Sequence, residues 1–286
     1  MKRLLLSAAA LSVFLGAHQA WAADGTFQRA LSTGSSPSVS VYTGSGTVRI
    51  HPGAGNQVQV TAHLHGNNGW SGGKDVESRI QQIVANPPVH QDGNHVVVGD
   101  PHPSDLYRNI TIDYDLTVPH DSSIEADTGS GDIETTDVGV SIHAQSGSGS
   151  VRAHGVHGPA NLGTGSGDIE LTDAAPGDVR ADTGSGSIRL QGVSGGLRAR
   201  SGSGDIEVAG ALTSDWMLQT GSGSIRLNLG PNTRFKLDAD TGSGTVHVAQ
   251  AISMSGDLNR HHVTGSVNGG GPTLHIQTGS GDVEIR

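Results

Sequence analysis

The stretch TGSGDIELTDAAPGDVRADTGSGSIRL, Thr164–Leu190, decides the fold. It holds two copies of one phrase, T/S-G-S-G-x-V/I-x-x, whose central serines are Ser166 and Ser185. Seven more copies centre on Ser45, Ser130, Ser148, Ser203, Ser222, Ser243 and Ser280. From Ser130 to Ser222 the steps are 18, 18, 19, 18 and 19 residues, then 21 and 37. A fixed period near 18 marks a stacked repeat, because a unit so small cannot bury a core by itself.

Counted from each serine, positions +3 and +5 are apolar in nearly every copy, as in Ile169 and Leu171 or Ile188 and Leu190. Positions −6 and −4 are apolar as well, as in Ala160 and Leu162 or Val179 and Ala181. Each set alternates with mostly polar residues, the period of a strand with one buried face. One set is odd and the other even, so Gly-Ser-Gly must absorb a residue at a bulge or corner, a backbone that glycine tolerates. The reading is a β-solenoid, one repeat to a rung, with Ile169, Ile188, Ile206 and Ile225 in one buried column. Thr or Ser at −2 in all nine copies predicts a hydroxyl ladder.

Position +4 reads Glu134, Arg152, Glu170, Arg189, Glu207, Arg226, then His247. With rungs about 4.8 Å apart, each inner glutamate faces an arginine on either side, a structural charge ladder. Duplication of a two-repeat unit produces the same alternation with no energetic content.

The 37 residues from Ser243 to Ser280 have room for two rungs, and Thr264-Gly265-Ser266-Val267 resembles a decayed phrase. The first 125 residues are less regular. Ser38–Tyr42, Thr47–His51, Gln57–Leu64 and Asn109–Val118 alternate as strands, Asp75–Ala85 has helical spacing, and Val89–Gln91 with His95–Val98 flanks a hairpin turn. The domain reading is a leader over 1–22, an N-terminal cap region with one short helix over 23–125, and the repeat region over 126–286. The helix and hairpin are expected to cover the first rung. The last phrase, Thr278–Ile285, has no later segment to cover it, so weak self-association or strand addition is expected through that rung.

Lys2 and Arg3, the apolar run Leu4–Ala17 and Ala20-Trp21-Ala22 form an export signal. The run is short for a bilayer span, so the expected mature chain is exported, periplasmic or secreted, with no membrane span. There is no cysteine, so disulfides cannot hold the fold. Loss of the leader takes the formal net charge from −10 to −12. That balance argues against nucleic acid as a partner.

The string ITIDYDLTVPHDSSIEADTGSGDIE, Ile110–Glu134, is an alternating strand that runs into the first regular repeats. With the GSGDI and GSGSI phrases after it and the leader before it, the chain resembles the bacterial "putative adhesin" β-strand-repeat family, a domain of unknown function. The resemblance implies an exported solenoid-like domain and supplies no catalytic residues.

Candidate chemistry is thin. Gly-Ser-Gly-Asp resembles calcium-binding β-rolls, but the period is doubled, Asp is present in about half the copies, and calcium needs about six to eight oxygens. His63 with His65, and His261 with His262, bring at most two imidazoles together. Asp132, Glu134, Asp168 and Glu170 recur regularly, whereas a catalytic carboxylate pair breaks a pattern at one place. No catalytic, cofactor or metal residue is assigned. The expected function is a structural or adhesin-like module binding a protein or glycan at the envelope. The alternatives are a β-helix enzyme acting on envelope polysaccharide and an envelope-stress accessory protein that binds another exported protein.

Overall fold

A computed structural model describes residues 24–67, 73–102, 104–172, 176–254 and 260–286. The expected export signal, residues 1–22, lies outside them. The chain forms two sheets around one core, and each repeat gives one strand to each sheet.

In stacking order the nine rungs are as follows. Rung 1 is Ser38–Ser45 with Val48–Gly53, rung 2 Ser123–Ser130 with Ile133–Thr136, and rung 3 Ser141–Ser146 with Val151–His154. Rung 4 is Ala160–Thr164 with Ile169–Thr172, rung 5 Val179–Thr183 with Ile188–Ser194, and rung 6 Leu197–Ser203 with Ile206–Ala211. Rung 7 is Trp216–Ser222 with Ile225–Asn228, rung 8 Thr273–Ser280 with Val283–Ile285, and rung 9 Phe235–Ser243 with Val246–Val248. First strands lie in a 13-stranded sheet and second strands in a 12-stranded one.

Successive rungs pair in parallel and in register, with Ile169 on Ile188, Ile188 on Ile206 and Ile206 on Ile225. All four are fully buried, so the column expected from position +3 is present. Positions −6, −4 and −2 face inward on one sheet, and +3 and +5 on the other. The glycine corner between them makes the change of parity.

From rung 2 onward the hydroxyls at −2 are buried, and each donates to the carbonyl of the +1 glycine one rung below rather than to another hydroxyl, while Thr43 in rung 1 donates to the Ser45 and Ile112 carbonyls. Thr183 donates to Gly167 at 2.9 Å, Ser201 to Gly186 at 2.8 Å and Thr220 to Gly204 at 2.8 Å. These bonds satisfy corner carbonyls that the sheet ladders do not reach.

Two expectations about the last repeats are overturned. Thr278–Ile285 is not an uncovered end. Its strands lie between rungs 7 and 9, paired on both edges with Trp216–Ser222 and Phe235–Ser243 and with Ile225–Asn228 and Val246–Val248. Self-association through an open edge of that rung is therefore ruled out, because its N–H and C=O groups are already used. Thr264–Val267 is also not a decayed rung. It lies in His262–Val267, antiparallel to Phe235–Ser243, and Ile252–Met254 pairs antiparallel beyond it as an end cap.

The stack also begins earlier than residue 126. Val48–Gly53 pairs with Ile133–Thr136, and Ser38–Ser45 with Ser123–Ser130, so the intervening segment is an insertion between rungs 1 and 2. That insertion caps rung 1. Ile110–Pro119, Gln57–Gly66 and Asp24–Ser32 extend the 12-stranded sheet, and the hairpin Val89–Asp92 with His95–Val98 extends the other. The helix Gly73–Ala85 buries Val76, Ile80 and Ile83. Gly25 sits beneath it, where a Cβ would lie 2.5 Å from Ile80.

Candidate functional site

The two outward faces differ in charge order. On the 12-stranded sheet, position +4 runs Arg49, Glu134, Arg152, Glu170, Arg189, Glu207, Arg226, Glu284, His247 in stacking order. In chain order the alternation fails at the end, where Arg226 is followed by His247 and then Glu284. Insertion of the last repeat between rungs 7 and 9 restores it. In stacking order opposite charges therefore face one another across neighbouring rungs, the arrangement that favours a strand pair. Position +2 behaves alike, with Asp282 placed between Ser224 and Thr245.

The close contacts of the ladder are diagonal as well as direct. Arg49 lies 3.8 Å from Glu134, but Arg152 reaches Asp132 at 3.2 Å and Arg226 reaches Asp205 at 3.1 Å. The +2 aspartates also accept from backbone N–H groups of the next rung, Asp132 from Ser150, Asp168 from Ser187 and Asp205 from Ser224, each at 2.8 Å. Such bonds favour the ionised form. The Ser224 N–H, with Arg226 and Arg189 nearby, holds the Asp205 carboxyl below its usual range. The stability this lends is present at neutral pH and is lost as pH falls through the lowered value. These carboxylates serve the stack.

Arg189→Glu would place three acids in line with Glu170 and Glu207. The expected loss is about 1 kcal/mol, since the ladder is half-exposed. In urea titrations the loss should shrink from 10 mM to 1 M salt, as the screening length falls from about 30 to 3 Å. A salt-independent loss would assign the effect to packing of the arginine stem.

The 13-stranded face has no such alternation, and at one place like charges meet. Arg180 stands directly on Arg198, and Arg200 projects from the same strand as Arg198. Arg180 is held by Asp182 at 2.6 Å. Arg198 reaches only the Met217 sulfur at 3.4 Å, and Arg200 the Gln219 side-chain oxygen at 3.1 Å. Neither lies within 4.0 Å of a carboxylate among the described residues. Beside them, at position −3, rung 4 carries Gly163, and the Gln145 side chain lies over it. A shallow trough runs past Asn161, Gly163, Arg180, Asp182 and Arg200. Acids lie toward both ends of the face, Glu125 and Asp127 in rung 2, and Asp238 and Asp240 in rung 9. The aspartates of rung 9 are engaged by His275 and His262, each at 2.9 Å.

The family profile for Toastrack DUF4097 matches residues 37–286, from the start of rung 1 through rung 8 and the stretch between them. The chain belongs to the Toastrack DUF4097 family. A search of curated proteins found no match. Two crystal structures resemble this Toastrack chain distantly. A "putative cell adhesion protein" from Clostridium sporogenes is 11% identical, with a TM-score of 0.36, over 92% of this chain and 98% of the other. A "putative adhesin" from Bacteroides fragilis is 12% identical, with a TM-score of 0.42, over 92% of this chain and 97% of the other.

The arginine cluster of this Toastrack domain lies outside the repeat phrase and its +4 ladder, so the phrase does not mark it. The signal was present at −5 and −3, where Leu197-Arg198-Ala199-Arg200 follows Val179-Arg180-Ala181-Asp182. Among the described residues no aromatic side chain lines the trough. Among the described residues no helix is long and apolar enough to cross a membrane.

Proposed function

We propose that this Toastrack chain is an exported, non-enzymatic binding module whose 13-stranded face takes an acidic envelope glycan. The observation that carries the reading is the stacking of Arg180 on Arg198 with Arg200 alongside, in a protein whose opposite sheet alternates charges rung by rung at position +4. Like charges directly opposite one another cost stability, and local rules broken in this way mark functional places. Guanidinium groups bind carboxylates through two parallel N–H bonds, which suits a polyuronate. Rungs at fixed spacing let one polymer meet several such groups, so weak contacts add up through effective concentration.

The test is titration of the mature chain with polygalacturonate, with dextran as the neutral polymer and single-stranded DNA as a second polyanion. Polygalacturonate should bind in preference to both. Arg198→Glu with Arg200→Glu should weaken it at least about tenfold, a loss of roughly 1.4 kcal/mol. Arg189→Glu, on the opposite sheet, should leave it unchanged. Equal binding of dextran or DNA, or an unaffected double variant, would overturn the glycan reading. New reducing ends in the polymer would make the chain an enzyme.

A further inference from the structure

We propose that His120, Asp137 and His157 form a binding site for a divalent transition metal ion. The three residues lie far apart in sequence, yet the rung period brings them into one column. His120 is in the turn after Ile110–Pro119, Asp137 in the turn within rungs 2 to 3, and His157 in the turn within rungs 3 to 4. Backbone bonds stack these turns. Gly139 N–H donates to the His120 carbonyl at 3.1 Å, and His157 N–H donates to the Gly139 carbonyl at 3.1 Å. One potential ligand atom from each side chain lies within 4.8 Å of the other two. The imidazole centroids are 4.3 Å apart, and His157 Nε2 is 3.1 Å from Asp137 Oδ1. Donors around a tetrahedral ion with bonds of about 2.0–2.2 Å sit roughly 3.3–3.5 Å apart. The side chains are exposed, so small rotations reach that geometry.

Two further features fit a metal rather than a chance cluster. The Asp121 carboxylate lies 2.7 Å from His120 Nδ1. Accepting the Nδ1 proton leaves Nε2 as the lone-pair nitrogen, the carboxylate–histidine arrangement that orients metal ligands. Asp137 has φ of 51°, a left-handed conformation uncommon for a residue with a Cβ. Gly155 lies against it, and a Cβ there would sit 3.1 Å from Asp137 Oδ1. Elsewhere His262 pairs with Asp240 and His275 with Asp238, and His65 lies near two aspartates, Asp24 and Asp113, with no second imidazole in the group. Among the described residues this is the one place where a second imidazole joins a carboxylate.

Two imidazoles and one carboxylate suit zinc and its neighbours, whereas calcium and magnesium take oxygen ligands. Three protein donors leave a position for water. The ion would clasp the strand leaving the insertion to the turns of the regular stack.

The test is calorimetric titration of the untagged mature chain with zinc chloride, together with thermal unfolding. One equivalent should bind, and the unfolding temperature should rise with zinc, because the ion binds only the folded column. Calcium and magnesium should produce neither effect. His120→Gln and His157→Gln should each abolish that equivalent while leaving the circular dichroism spectrum intact. Asp121→Asn should weaken it about 10–100-fold. Absence of zinc binding would overturn the site. So would an equivalent that survives both histidine substitutions, which would place the ion elsewhere, for example at His261 and His262.

Discussion

Gly186→Ala is expected to destabilise the stack by about 3 kcal/mol or more, at or above the upper end of ordinary overpacking. The reason is the spacing of the rungs. At the corner, the +1 glycines stand backbone on backbone, and a Cβ at Gly186 would lie inside the van der Waals envelope of the Gly167 carbonyl oxygen. That oxygen also accepts the Thr183 hydroxyl bond at 2.9 Å, so it cannot move away freely. Relief requires two rungs to separate, which breaks the parallel ladders beside the corner. Gly44→Ala, at position −1 of the phrase rather than +1, is a control at a corner glycine with no close neighbour. Gly44 belongs to the same phrase, but in rung 1 a Cβ would meet nothing within 4 Å. It should change stability by no more than about 0.5–1 kcal/mol, in the stabilising direction if the backbone fits, through the unfolded chain. Chemical denaturation of both variants decides. Equal losses would mean that glycine is needed for backbone conformation at the corner and not for close approach.

Ile285→Ala should cost as much as Ile206→Ala, about 2–5 kcal/mol each. Ile206 lies in the middle of the chain's regular repeats, whereas Ile285 lies in the last phrase, where a chain-order stack would leave it at a fraying end. In the structure both are fully buried. Ile285 faces Leu227 on one side and Val248 on the other. A loss below about 1 kcal/mol at Ile285, with a full loss at Ile206, would put the last repeat back on the outside of the stack. A double substitution should be close to additive, since the two sites lie in different rungs without shared partners.

The repeat phrase made the solenoid legible because its signals are local. The period near 18, the apolar alternation and the glycine corner each involve residues within one repeat, and the parallel register then follows by placing like on like. Ile169, Ile188, Ile206 and Ile225 could therefore be stacked on paper. The alternating helical pattern of Asp75–Ala85 and the hairpin at Val89–Val98 were readable for the same reason.

What the sequence could not supply was order among repeats and contacts between turns. The phrase at Ser280 is as good a neighbour for rung 7 as the phrase at Ser243, and nothing local chooses between them. Tertiary structure decided this by inserting rung 8 between rungs 7 and 9. Glu284 then lies between Arg226 and His247, and each strand edge there meets a partner. The arginine cluster of Arg180, Arg198 and Arg200, and the trio His120, Asp137 and His157, came from the same source. Their members are separated by a rung's length of chain, so their meeting depends on which turns and strands lie side by side. Sequence by itself determined the shape of one rung and its buried face. Only the fold determined which rungs touch, because pairing between equivalent strands forms the same backbone bonds whichever copy provides them.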